Sequence, residues 1–225
     1  MQLSIIIPVL NEEHSIGAAL ANLNRMNAHE IIVIDGGSSD RTREIVRQGA
    51  NTLASADQGR ARQMNHGARI ATGDVLLFLH ADTRLPDSAK KDIAESLSDA
   101  RYVGGRFDVQ LDSQKWLLAI VGHLINFRSR RSRVATGDQA IFVRRDIFEQ
   151  LGGFPDIPLM EDVAFSRMLK RSGAVACLKS KVITSARRWE NNGPLRTILL
   201  MWTLKSLYLA GVSPRTLARF YANTR

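Results

Sequence analysis

Cysteine is all but missing: Cys177 is the single one in the chain, which excludes an internal disulfide framework and any zinc site built from several cysteines. A reducing compartment is the simple expectation. Long hydrophobic runs are missing too. The longest apolar segments, 117–127 and 195–204, are too short or too interrupted to supply the ~18 residues of a spanning helix. The opening MQLSIIIPVLNEE has no basic region ahead of its apolar run and no small-residue cleavage site, so no secretory signal is expected. Neither GxGxxG nor GxxxxGK[ST] occurs, which removes the dinucleotide fingerprint and the Walker loop.

What is present is room for a core and an uneven charge. The 225 residues are 44% apolar, enough for one large domain. Lys and Arg number 31 against 22 Asp and Glu, a net +9, and residues 113–225 hold 19 of those basic groups and only 7 acids. The first half, 1–112, has 12 basic and 15 acidic residues. A basic second half implies an anionic partner: nucleic acid, a phosphate-bearing molecule or an anionic membrane.

Segments 3–9, 30–34 and 75–79 are nearly continuous apolar runs, the pattern of strands covered on both faces. Helix-compatible segments at 12–23, 40–48 and 58–70 lie between them. This alternation predicts an α/β layered fold with right-handed crossovers, whose ligands gather at the carboxyl ends of the strands. Polar clusters stand at those ends: Asn11-Glu12-Glu13, the run from Asp35 to Asp40, and His80-Ala81-Asp82. Further on, strands are expected at 103–109 and 140–144, and helices at 114–127, 162–171, 195–209 and 214–221. Pro214 sits at the first position of the last helix, after Ser213 as N-cap.

Each cluster has a plain structural reading and a chemical one. Asp35-Gly36-Gly37-Ser38-Ser39-Asp40 is explained as well by a tight βα turn as by close approach to a ligand. In the helix from Gln58, Arg62 follows Gly59-Arg60 at an N-terminus where backbone N–H groups and a guanidinium can meet one anion. His80 and Asp82, two apart on an extended chain, point the same way and can converge on one ligand, though capping by Asp82 accounts for it equally. Glu161-Asp162 is an acidic pair at a helix start, either complementing the helix dipole or supplying a proton acceptor.

The segments SIIIPVLNEE, IIVIDGGSSD, GRARQMNHG, VLLFLHAD and LMEDVAFSRML, in this order and at these distances, resemble glycosyltransferase family 2 with the GT-A fold. The short length, HAD, GDQAIFVR and the closing GVSPRTLARFY are similar to a compact bacterial branch, selenodomain-associated transferase 2. The resemblance implies a Rossmann-like three-layer nucleotide-diphospho-sugar transferase fold with a mostly parallel central sheet. It divides the chain into a catalytic domain 1–190, with a nucleotide-binding half 1–112 and an acceptor half 113–190, and a C-terminal helical extension 191–225 packed on it.

Carried over residue by residue, the resemblance makes Pro8, Leu10, Asn11 and Glu12 the first nucleotide-contacting turn and Asp35 the acid that reads the base. Gly59, Arg62 and Asn65 match the helix motif beside the diphosphate. Asp82 matches the last acid of the D-x-D motif that holds Mg²⁺ or Mn²⁺ on the donor's phosphates, with His80 and Ala81 at its other positions. Asp162 matches the general base, and Glu161 orients acceptor or base. At a helix start Asp162 is expected to stay ionised at neutral pH. Three positions depart from the family pattern: Gly36 stands where many members have a second acid after Asp35, His80 stands where most have the first D-x-D acid, and Ser185 stands where processive members have Gln. Processive synthesis is therefore not expected. Arg187 and Arg188 either help neutralise the diphosphate or form a basic strand edge.

The implied reaction is inverting transfer of a sugar from a UDP- or GDP-linked donor to an acceptor hydroxyl. Segments 114–127 and 195–209 are apolar nearly all round, and the first runs into the basic stretch Arg128-Ser-Arg-Arg-Ser-Arg133. Such segments suit a membrane interface and a phosphorylated or lipid-linked acceptor, with the protein in the cytoplasm or peripheral on the cytoplasmic face of the inner membrane. Helices packed on one another or on a second copy in a homodimer account for the same pattern. Nucleic acid is not expected, since the basic stretch has no interleaved aromatics and no helix-turn-helix or zinc pattern accompanies it. A sugar-1-phosphate nucleotidyltransferase would carry a G-x-G-x-R signature near its first strand, absent from PVLNEE. The remaining alternative is a catalytically inactive nucleotide- or lipid-binding protein of the same fold at the membrane periphery.

Overall fold

The computed structural model describes residues 1–222; the last three residues of the 191–225 extension lie outside the described residues. Strands β1 (Leu3–Val9), β2 (Glu30–Asp35) and β4 (Val75–Phe78) are the expected continuous apolar runs. Their alternate residues serve two cores. Ile5, Ile7, Ile31, Val33, Val75 and Leu77 face one buried cluster, while Ile6, Ile32, Ile34, Leu76 and Phe78 face the other. A strand sandwiched this way has no side left for polar residues.

Helices α1 (Ile16–Asn24), α2 (Thr42–Gly49) and α4 (Ala89–Leu97) contribute apolar side chains to the first core. Helices α3 (Arg60–Ile70), α6 (Arg145–Gln150) and α7 (Glu161–Ser172) pack on the second. Phe148, Phe154 and Phe165 join Phe78 there in tilted and edge-on ring contacts. With β3 (Thr52–Ser55), β5 (Thr83–Arg84), β6 (Tyr102–Asp112), β7 (Ile141–Arg144) and β8 (Ala174–Ser185), the sheet runs β3-β2-β1-β4-β7-β6-β8-β5. It is mixed: β3-β2-β1-β4 is parallel, β7 opposes both neighbours, β6 and β8 are parallel, and β5 opposes β8.

Helix α3 sits low on the sheet because Gly67 carries no side chain. A Cβ there would lie 2.5 Å from Ile6 Cγ2. One turn earlier, the buried Gln63 donates from Nε2 to the carbonyls of Val9 and Ile34, both at 2.8 Å. That amide bridges the ends of β1 and β2 and sets the N-terminus of α3 over the crevice between them. A single side chain thereby ties two strand-end carbonyls together, Val9 O accepting from Gly36 N–H as well.

The second half differs from the sequence expectation in three places. Helix α5 (Trp116–Ser132) continues past Phe127 through the basic stretch and ends on Arg133 in the left-handed conformation. Strand β8 was not anticipated, since lysines interrupt its apolar pattern. Arg187 and Arg188 open helix α8 (Arg187–Asn192) and are not a strand edge. Helices α9 (Pro194–Leu209) and α10 (Pro214–Ala222) follow. Leu118 and Val121 of α5, Leu111 and Ala186 form a third cluster, against which Trp189 and Ile198 pack.

Candidate active site

At the ends of β1 and β2 two loops clasp each other. Asn11, at φ 54°, donates its N–H to Ser38 Oγ at 2.9 Å and accepts from Ser39 N–H at 2.9 Å. Glu12 N–H donates to Thr42 Oγ1 at 2.7 Å. Pro8 and Leu10 are half-buried beside this clasp. Asp35 is fully buried and accepts from Ser38 N–H at 3.0 Å and from Arg43 at 2.8 Å. Burial opposes its charge, but the Ser38 hydrogen bonds and the Arg43 guanidinium outweigh it and hold its carboxyl below the ordinary range.

Helix α3 then separates residues that the sequence reading grouped. Gly59 caps it at φ 142°. Arg62 reaches outward to Asp156, 3.0 Å from both carboxylate oxygens. Asn65 braces the 152–155 loop, donating to Phe154 O at 2.8 Å and accepting from Phe154 N–H at 2.9 Å. The inward cation is Arg60, which the sequence reading passed over. It pairs with Glu161 at 3.3 Å; its side chain is 44% exposed and that of Glu161 only 3%. Nothing local marks Arg60 above Arg62, because both follow one glycine and the choice is made by an acid 101 residues away.

Arg60, His80, Gly137, Glu161 and Asp162 line one small cavity of about 10 Å³. Asp162 Oδ2 accepts from Gly137 N–H at 2.6 Å, and Oδ1 accepts from its neighbour Val163 N–H at 2.7 Å. Burial pushes the Asp162 carboxyl up to about 6, with the charge of Glu161 adding to it and the two N–H groups and Arg60 opposing. Asp162 is therefore still mostly ionised at neutral pH, but with far less margin than its helix position alone implies. Asp162 is poised near neutrality because desolvation outweighs the favourable helix start.

His80 Nε2 is buried without a hydrogen-bond partner and faces Gly137, where a Cβ would lie 2.5 Å away. Burial, with Arg60 and Arg188 nearby, pushes the imidazole down to about 3, so it is neutral. Ala81 is buried. Asp82 is raised from the ordinary value by burial and by Asp138, with Arg187 opposing. Arg187 and Arg188 thus both reach the site electrostatically, the first acting on Asp82 and the second on His80.

Among the described residues no group of three or more His, Cys, Asp or Glu is arranged to hold a metal. Asp82 and Asp138 are carboxylates within electrostatic reach of each other. That donor set suits Mg²⁺ or Mn²⁺, which takes one or two carboxylates and completes its shell with phosphate and water. Asp138 lies within the GDQAIFVR segment, and no local pattern marks it, because its nearness to Asp82 is a tertiary fact.

A PGL/p-HBAD biosynthesis glycosyltransferase of Mycobacterium bovis is 40% identical over 91 residues, a match spanning 36% of this chain and 36% of that relative's length. The mannosyltransferase PcManGT of Pyrobaculum calidifontis, solved with GDP-Man and Mn²⁺, superposes with a TM-score of 0.70 at 18% identity, covering 99% of this chain and 69% of that one. TarS of S. aureus, solved with UDP, gives 0.68 at 18% identity over 82% of this chain and 60% of its own. The shared architecture is the α/β fold of GT-A nucleotide-sugar transferases. The sequence profile of glycosyl transferase family 2 matches residues 4–152, taking in both clasped loops, α3, the His80-Ala81-Asp82 end and the Gly137 loop, and the chain belongs to that family.

Proposed function

We propose that the protein is an inverting glycosyltransferase acting on a UDP- or GDP-linked sugar and an acceptor hydroxyl. The observation that carries this is Asp162, pushed up to about 6 and fixed by two backbone N–H groups beside the strand ends that hold Asp82. A general base works best when its pKa lies near the working pH. Asp162 takes the acceptor proton as the acceptor oxygen bonds the anomeric carbon and the bond from that carbon to the diphosphate breaks. Glu161 and Arg60 hold the base in place and set its charge. Arg187 and Arg188 face the charge that develops on the leaving diphosphate. Asp82, with Asp138 nearby, would hold Mg²⁺ or Mn²⁺, which when bound neutralises the phosphates.

Mn²⁺-dependent thermal stabilisation by UDP or GDP is expected in the wild type and should weaken about tenfold in apparent affinity in Asp82→Asn. Stabilisation indifferent to metal in both proteins would remove Asp82 from this role. Nucleotide binding without turnover of any nucleotide sugar would favour the inactive binding protein, a reading supported by the His80 replacement.

The acceptor side is read as facing an anionic membrane. Trp116, Ile120, Leu124 and Phe127 form one exposed stripe on α5, and Leu195, Leu199, Trp202 and Leu209 form another on α9. Exposed Lys115, Arg131, Arg196, Arg215 and Arg219 flank them. No helix among the described residues is long and apolar enough to cross a membrane, so these faces would lie on the surface. The basic stretch contributes less to this than its sequence suggests. Arg130 donates to Cys177 O and Asp108, and Arg133, though exposed, donates to Val175 O, leaving Arg131 free to face outward. Flotation with vesicles containing phosphatidylglycerol is expected for wild type and lost in Trp116→Glu/Trp202→Glu. Unchanged flotation, or a vesicle-independent dimer broken by the same pair, would count against the membrane and, in the second case, for a homodimer.

A further inference from the structure

Two arginines, one on β6 and one on α5, have buried donors that go unanswered. Arg106 on β6 is 1% exposed and pairs with Asp108 through Nη1, yet its Nε and Nη2 have no hydrogen-bond partner. Arg128 on α5 is the same: Nε and Nη2 are buried and unpartnered. The two guanidinium charges act on each other, and burial together with Arg106 holds Arg128 below its ordinary range. Lys205 on α9 joins them. Its ammonium is pushed down to about 8 by burial and by Arg128, while Asp162 and Asp138 oppose.

Buried donors without acceptors are destabilising, and like charges gathered out of water add to that cost. An anion seated among them relieves both. The donor side has its own cations in Arg187 and Arg188, which act on Asp82 and His80. Arg128 and Lys205 instead act on Asp162 and Asp138, and they come from the two helices whose outer faces carry the exposed apolar stripes.

We propose that Arg128 and Lys205, backed by Arg106, form a subsite for a phosphomonoester carried by the acceptor, placed to present the acceptor hydroxyl to Asp162. This rests on the reading of Asp162 as the base that faces the acceptor. The phosphate has two possible carriers, a lipid or a small soluble molecule, and the guanidinium and ammonium donors recognise the group common to both.

The test uses the full chain with saturating UDP or GDP and Mn²⁺, titrated with farnesyl phosphate, glycerol 3-phosphate and farnesol. Farnesyl phosphate is expected to bind and farnesol not. Lys205→Met should weaken phosphate binding about tenfold and Arg128→Gln more, with Arg128→Lys recovering part. Nucleotide affinity should stay at the wild-type level. Lys205 lies on a surface helix, so its variant keeps the test decisive if Arg128→Gln fails to fold. Farnesyl phosphate tighter than glycerol 3-phosphate assigns a lipid carrier; equal affinities assign a soluble one, and either supports the subsite. Parallel loss of nucleotide and phosphate affinity would assign these cations to the donor diphosphate and overturn the proposal. Phosphate binding identical in Lys205→Met and wild type would overturn it as well. A wild type that binds phosphate but no nucleotide would sink the transferase reading and leave the phosphate site standing.

Discussion

Replacing Asp162 with asparagine is expected to lower the transfer rate about 10²–10⁴-fold, the range carried by one positioned general base, with UDP or GDP affinity within about twofold of wild type. The pH profile gives an independent readout. A protonated Asp162 cannot take the acceptor proton, so wild-type kcat should fall as pH drops through about 6. That acid limb should vanish from the residual activity of the variant. Stability should move differently. The folded value lies above the ordinary 3.8 of the unfolded aspartate, so the group favours folding most at pH below that value, and the contribution is lost as pH rises through about 6. At neutral pH the charged side chain is therefore a cost. Asparagine removes it but can accept only one of the two N–H bonds from Gly137 and Val163. These effects oppose, and a melting temperature near that of wild type is expected. A variant that keeps full activity, or keeps the acid limb, would end the assignment of Asp162 as the base.

The second large effect is expected at Arg60. Arg60→Met leaves Glu161, whose side chain is 3% exposed, without its cation, and a buried acceptor stripped of its partner costs about 1–3 kcal/mol. Solvent at the half-exposed guanidinium places the expectation toward the lower part of that range. Arg60 also pulls the Asp162 pKa down. Its loss should shift the acid limb of kcat upward from about 6, and a move of about one unit would lower activity near pH 6.5 about threefold. Glu161 acts in the opposite sense, raising Asp162. The double variant Arg60→Met/Glu161→Gln should therefore recover stability and return the limb toward its wild-type position, a coupling that a merely structural pair would not produce. An unmoved limb in Arg60→Met would show that the pair does not set the charge of the base.

Much of this molecule is written locally. The runs at β1, β2 and β4 are nearly all apolar because each strand feeds two cores, and that requirement acts residue by residue along the chain. Turn chemistry is equally local. The glycine pair after Asp35 and the polar ends of β1 and β4 placed the crevice before any contact was known. The positions of Asp82 and Asp162 at element ends were legible for the same reason. Strand β8 was not legible, because its lysines mask the alternation in the apolar pattern, and α5 ran past its expected end because the inner side of the basic stretch is held by β6 and β8.

What sequence alone determined about this protein is its α/β layering, the crevice at the strand ends and the kinds of side chain that stand there, since periodicity and turn residues are properties of neighbours in the chain. Tertiary structure decided which side chains meet. It turned Arg60 inward and Arg62 out to Asp156, used Asn65 as a brace, brought Asp138 within electrostatic reach of Asp82, and did the same for Arg128 and Lys205 with Asp162. Charge state followed from those meetings. A carboxylate at a helix start is favoured by its own helix, but the burial and the neighbours that push Asp162 to about 6 are supplied by residues far away in sequence, and no local pattern encodes them.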